Sequence, residues 1–93
     1  MGKLEQYFKG EESWIKYSNL FGEDWTNTNF QLKLLEKCNG KLDIAKVIFY
    51  HLRENSLKWM ESNVPALDDL TPLECLNDEK LINRLKECLH RFP

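Results

Sequence analysis

The sequence predicts an all-α fold: a single small domain of five to six short helices, with no sheet. Three observations predict it. The chain has 93 residues, too few to split into two domains. Hydrophobic residues make up 42% and aromatics 12%, with Trp14, Trp25 and Trp59 spread along the chain, so it has the core material that disordered sequences lack. Its apolar residues recur at helical spacing in segments bounded by cap and stop signals. A chain this short buries only roughly 60–65% of its unfolded surface, so the core is modest.

The first helical stretch covers Lys3–Phe8 and then Glu11–Phe21, with Gly10 as a break and Gly22 as a stop. Glu11 and Glu12 suit the positive end of the helix dipole, and Trp14, Tyr17, Ser18 and Phe21 share one face. The second runs over Asn29–Cys38. Thr28 and Gln31 form a capping box, Phe30, Leu34, Leu35 and Cys38 make the apolar stripe, and Asn39-Gly40 is a left-handed terminator. The third covers Leu42–Glu54, where Ile44, Ala45, Val47, Ile48, Phe49 and Leu52 spread over more than one stripe and predict a central helix. A strand over Lys46–His51 is rejected, because no other strand-like run exists to pair with it.

A short helix over Ser56–Ser62 stops at Asn63 and Pro65, and Val64–Leu70 reads as a loop. Thr71-Pro72-Leu73-Glu74 combines an N-cap threonine, a proline at the first helical position and a glutamate closing the capping box. Asn77-Asp78-Glu79 caps the last helix, whose apolar positions are Leu81, Ile82, Leu85, Cys88, Leu89 and Phe92.

Charge and cysteine usage narrow the function. Thirteen basic and 15 acidic residues give a net charge of −2, with the signs interspersed. The sequence pI of 5.7 disfavours nucleic-acid binding, which wants a basic stripe. Cys38, Cys75 and Cys88 are odd in number and lack CxxC spacing, which reads as reduced, partly buried thiols in a cytosolic protein. The first residues carry no signal-peptide pattern and no serine or threonine at position 6 for myristoylation, and no stretch approaches a membrane span. The expected location is cytoplasmic.

From Leu52 onward the residues fall into a recognisable order: Trp59-Met60, Pro65-Ala66-Leu67, Asp68-Asp69, Thr71-Pro72-Leu73-Glu74, Leu76, then Asn77-Asp78-Glu79 and a helix holding Leu85, Cys88 and Leu89. This order, without a gap, resembles the toxin-binding domain of Xre/MbcA/ParS-type bacterial antitoxins. The chain departs from the family where Asp68-Asp69 replaces a glycine pair and where Leu81 replaces a glycine. Residues 1–40 match nothing in it and show no helix-turn-helix, leaving 41–93 as the antitoxin-like module. The resemblance implies a toxin-antitoxin partner: a RES-type, NAD-degrading toxin whose active-site cleft is plugged by His90, Arg91, Phe92 and Pro93, with Arg84 on the same helix also assigned to partner contact. Trp59, Pro65, Leu67, Thr71, Pro72 and Leu76 would be its structural motif.

No catalytic, metal or cofactor site is expected. His51 and His90 have no second ligand at helical spacing, and Cys88 and His90, two residues apart, face different sides of a helix. The acidic pairs Glu11-Glu12, Glu23-Asp24 and Asp68-Asp69 sit at turns or helix starts, where carboxylates serve caps and dipoles. Lys80, Arg84 and Arg91 form a stripe suited to a phosphate or an acidic partner, but Glu87 interrupts it, and the residues alone read as a solvated face. The expected function is therefore non-enzymatic protein binding. The alternative is a small homo-oligomeric structural or adaptor protein, pairing through the apolar face of 44–52 and the aromatic first segment.

Overall fold

The computed structural model describes residues 8, 10–23 and 25–92. The helix expected over Lys3–Phe8, Phe8 itself apart, and the roles expected of Asp24 and Pro93 fall outside the described residues. The fold is all-α, with helices α1 (Glu11–Ser18), α2 (Asn29–Lys37), α3 (Leu42–Leu52), α4 (Ser56–Met60), α5 (Pro72–Cys75) and α6 (Glu79–His90). Short 3-10 turns over Asn19–Phe21, Arg53–Asn55 and Pro65–Leu67 join them. Among the described residues β pairing is limited to one isolated bridge, Val64 to Leu70, which closes the loop before α5. A radius of gyration of 12.3 Å is that of one packed domain of this length.

Local chemistry explains the boundaries. Gly10 precedes α1 at φ 101, a left-handed value open to glycine. α2 opens on the complete Thr28–Gln31 capping box. It closes when Asn39 turns left-handed at φ 57, its N–H donating to the Glu36 carbonyl while Gly40 N–H donates to Leu35. That pair of bonds is a Schellman terminator. The last turn of the predicted third helix tightens into the 3-10 turn at Arg53–Asn55, so α3 ends at Leu52 rather than Glu54. Thr71 and Glu74 form the second capping box, with Pro72 at the first helical position. The Asp78 carboxylate accepts from the Lys80 and Leu81 N–H groups to start α6.

The core gathers Trp14, Leu34, Ile44, Ala45, Val47, Ile48, Met60, Leu67, Leu85 and Leu89, with the three cysteines among them. Ile44, Ala45, Val47 and Ile48 are all fully buried within the chain. The inner face of 44–52 is therefore not available to a second copy; only Phe49, Tyr50 and their neighbours reach outward. Trp14 is buried too, and its indole N–H donates to Asp43 at 2.6 Å, tying α1 to the start of α3.

The last helix departs most from expectation. Arg84, Leu85, Lys86, Glu87, Cys88 and Leu89 are buried in unbroken succession. Its polar side is covered because neighbouring elements supply counter-charges. Lys86 Nζ meets Glu11 of α1 at 2.7 Å, and Arg84 meets Asp68 of the preceding loop at 3.3 Å. The solvated-face reading of the Lys80, Arg84 and Arg91 stripe is corrected accordingly: Lys80 and Arg91 are exposed, whereas Arg84 is 4% exposed.

Asp68 and Asp69, standing where the antitoxin pattern has glycines, adopt left-handed φ values of 57 and 64. Aspartate tolerates this region better than most side chains. Asn63 secures the turn by donating to the Asp69 carbonyl at 2.6 Å, and Arg84 holds the Asp68 carboxylate.

Candidate functional site

The region assigned to partner contact lies at the C-terminal end of α6, and four helices build it. Tyr17 comes from α1, Tyr50 and His51 from α3, Trp59 from α4, and His90 and Phe92 from the end of α6. Their rings touch in series. Trp59 meets Phe92 edge-on at 5.6 Å between centroids, and Phe92 lies 5.1 Å from His51. Tyr17 stacks on His90 at 4.2 Å and meets the edge of Phe21 at 5.0 Å. Each such aromatic pair adds about 0.5–1.5 kcal/mol beyond the area it buries.

The Tyr17 hydroxyl is the polar centre of this cluster. It donates to the Leu89 carbonyl at 3.1 Å and lies 3.0 Å from Nε2 of His51. A hydroxyl has one proton, so with that proton on the carbonyl its oxygen accepts from the Nε2–H of a neutral imidazole. Burial lowers the His51 pKa from the ordinary histidine value, which favours this neutral form. Burial, then the nearby Tyr50, raises the Tyr17 pKa and keeps the phenol protonated. The result is an uncharged clasp joining α1, α3 and the last turn of α6.

The ring series continues over the outer face of α3. Phe21 packs on Tyr50 at 4.3 Å, and Phe49 meets Trp25 and Phe30 at 6.2 and 6.1 Å. The Arg53 guanidinium lies 5.3 Å from the Phe49 ring centre and 5.5 Å from that of Tyr50. Arg53 has φ 48 and ψ −122, a backbone region that disfavours side chains. Leu20 is 72% exposed and Tyr50 41%. Half-exposed aromatics beside an arginine are the composition that protein interfaces favour.

The residues named from the sequence divide as follows. His90 and Phe92 are half-buried in the ring series, and Arg91 projects outward with its Nε on Glu87 Oε2 at 2.7 Å. Arg84, assigned to the partner, is instead turned inward onto Asp68, because the loop before α5 folds over it. Pro93 lies outside the described residues. Of the structural motif, Leu67, Pro72 and Leu76 are buried, Thr71 caps α5, Pro65 opens a 3-10 turn, and Trp59 rests its edge on Phe92. Sequence reasoning missed Tyr17, Tyr50, Arg53 and Leu20 as contributors. The recurrence of aromatic residues in two segments was the available signal, but nothing local shows that the segments meet.

The polar chemistry elsewhere is closed in. Burial, and then Asp43, push the Cys38 thiol up to about 12; burial, and then Cys75, push Cys88 up to about 11. Such thiols hold their protons and react slowly. Among the described residues no group of three histidine, cysteine or acidic side chains is placed to hold a metal, and no helix is long and apolar enough to cross a membrane. A cleft of about 440 Å³ at the start of α6 is lined by Glu11, Lys41, Asp78, Asn83 and Lys86, and a groove of about 180 Å³ lies between Leu52 and Trp59. The Tyr17–His51 pair lines neither. Comparison of the chain with protein-family models, with curated proteins and with solved structures finds no match in any of the three.

Proposed function

We propose that this chain is a non-enzymatic protein-binding module of the antitoxin kind, neutralising a RES-type NAD-degrading toxin by seating its C-terminal end in the toxin's active-site cleft. The observation that carries this reading is the edge contact between Trp59 and Phe92, which joins the tryptophan of the antitoxin-like order to the end of the last helix. Arg91 stands beside that contact with its side chain 52% exposed, and an arginine there suits an acidic or phosphate-binding cleft. Exposed Leu20 and Tyr50 add apolar contact area on the adjoining face. Three buried, unbridged thiols suit the reducing bacterial cytoplasm that the reading requires.

The test is inhibition of NAD hydrolysis by a purified RES-class enzyme. Adding the chain should suppress hydrolysis, and Arg91→Glu should weaken suppression by roughly tenfold or more while leaving the helical circular dichroism intact. Failure of the wild-type chain to inhibit, or full inhibition by Arg91→Glu, defeats the proposal. Removing residues 90–93 is a poorer test, because the rings of His90 and Phe92 pack on Tyr17 and Trp59 and their loss would also loosen the fold.

A second reading, a homo-oligomeric structural or adaptor protein, is supported by the exposed apolar pair Leu20 and Tyr50 beside Phe21. Sedimentation of the purified chain at several concentrations decides it. A dimer that Leu20→Asp converts to monomer supports this reading, and a monomer throughout removes it.

A further inference from the structure

We propose that the C-terminal turn is a latch: Phe92, docked between His51 and Trp59 and tied down through Tyr17, must let go before the tail can enter a partner's cleft. The inference rests on the plugging role proposed above and adds a control to it.

The geometry is that of a fastened end rather than a free one. The Leu89 carbonyl accepts twice, from the Phe92 N–H at 3.2 Å and from the Tyr17 hydroxyl at 3.1 Å. Leu89 itself is fully buried, so both bonds anchor the turn to the core. The Phe92 ring faces inward onto His51 and Trp59, while Arg91, one residue earlier, faces outward and bonds Glu87. A tail arranged this way can offer Arg91 to a partner as it stands. It can offer Phe92 only by leaving two ring contacts and the Leu89 carbonyl.

A competent state that is populated only part of the time weakens apparent affinity by that fraction. Loosening the clasp without touching the tail should therefore tighten binding. Tyr17 is the positioning residue for this, since its hydroxyl bonds both Leu89 and His51.

The experiment compares the full chain with Tyr17→Phe, which keeps the ring and removes the hydroxyl. Trp59→Leu serves as a second variant, removing the docking edge while keeping an apolar side chain. Nuclear Overhauser contacts between Phe92 and Trp59, or between Phe92 and His51 in Trp59→Leu, report docking without any partner. Affinity for a purified RES-class enzyme reports competition. The expected result is clear contacts in the wild type, weaker ones in the variants, and binding tightened roughly three- to tenfold. Missing contacts in the wild type overturn the latch, as does a released tail that binds no more tightly. If neither the wild type nor any variant binds the enzyme, the plugging role fails and the latch has nothing to control. Docking contacts that persist in that case show the failure to lie in the plugging role.

Discussion

Along α3 the buried positions are Ile44, Ala45, Val47 and Ile48, all aliphatic; along α6 they are Arg84, Leu85, Lys86, Glu87, Cys88 and Leu89, half of them charged. The two helices share one core and leave water by different chemistry. α3 is driven inward by apolar area, at about 25 cal/mol per Å² removed from water. α6 has an apolar side that packs on the core and a charged side covered by pairing: α1 brings Glu11 to Lys86, the loop before α5 brings Asp68 to Arg84, and Glu87 pairs locally with Arg91. Burial along α3 is thus a local property of its residues. Burial of the two α6 cations depends on partners from other elements, and a lone charge there would carry a desolvation penalty.

The contrast breaks most sharply on α3. Ile48→Ala should cost about 3 kcal/mol, because a fully buried isoleucine leaves a cavity that its neighbours only partly fill. Urea denaturation measures this as a lower midpoint at unchanged slope. If Ile48→Ala proves nearly silent, α3 is not the apolar support of the core.

On α6 the identity of the change should matter more than its size. Asp68→Asn leaves the Arg84 guanidinium buried beside a neutral partner and should cost roughly 1–2 kcal/mol, less than a fully enclosed pair because Asp68 is half-exposed. Arg84→Met removes the charge and keeps the apolar stem, and should cost under about 1 kcal/mol. The same denaturation series decides between them. An Arg84→Met loss larger than that of Asp68→Asn would mean the arginine contributes through bonds of its own, not through pairing with the loop.

A smaller effect distinguishes the clasp from both helices. The unfolded His51 titrates near 6.5, and in the folded chain burial holds its pKa below that. In the interval between the two values the unfolded chain binds a proton that the folded chain does not. Stability therefore falls as the pH drops from about 6.5 to the lowered folded value, then levels off. Denaturation at about pH 7.5 and about pH 5 should show this decline, and His51→Gln should reduce it. A histidine contribution of the opposite sign would mean that the protonated ring is welcome in the aromatic cluster.

Helix starts and stops were largely legible in the residues. Both capping boxes, the Asn39-Gly40 terminator and the Asp78 cap need only neighbours two to five positions away, so local sequence determines them. The covered polar side of α6 was not legible. Arg84 and Lys86 look like solvent residues until Asp68 and Glu11 are brought across the fold, the latter from 75 positions earlier. The C-terminal end was half legible: the residues point to Trp59 as part of a structural motif and to Phe92 as part of the plug, but the tyrosine that fastens the turn sits 72 residues before the carbonyl it bonds. Long-range contacts of this kind leave no periodic trace: Tyr17 and Phe21 read locally as one helix face, and nothing in that spacing points to Tyr50 and His51.

The most direct test of the binding role is an amide hydrogen-exchange map of the chain alone and mixed with a purified RES-class enzyme. Partner contact through the C-terminal end predicts that exchange changes concentrate at Leu89–Phe92 and around Trp59. Changes confined to the opposite end of α6, at Asn77–Lys80, or no change at any amide, would contradict it.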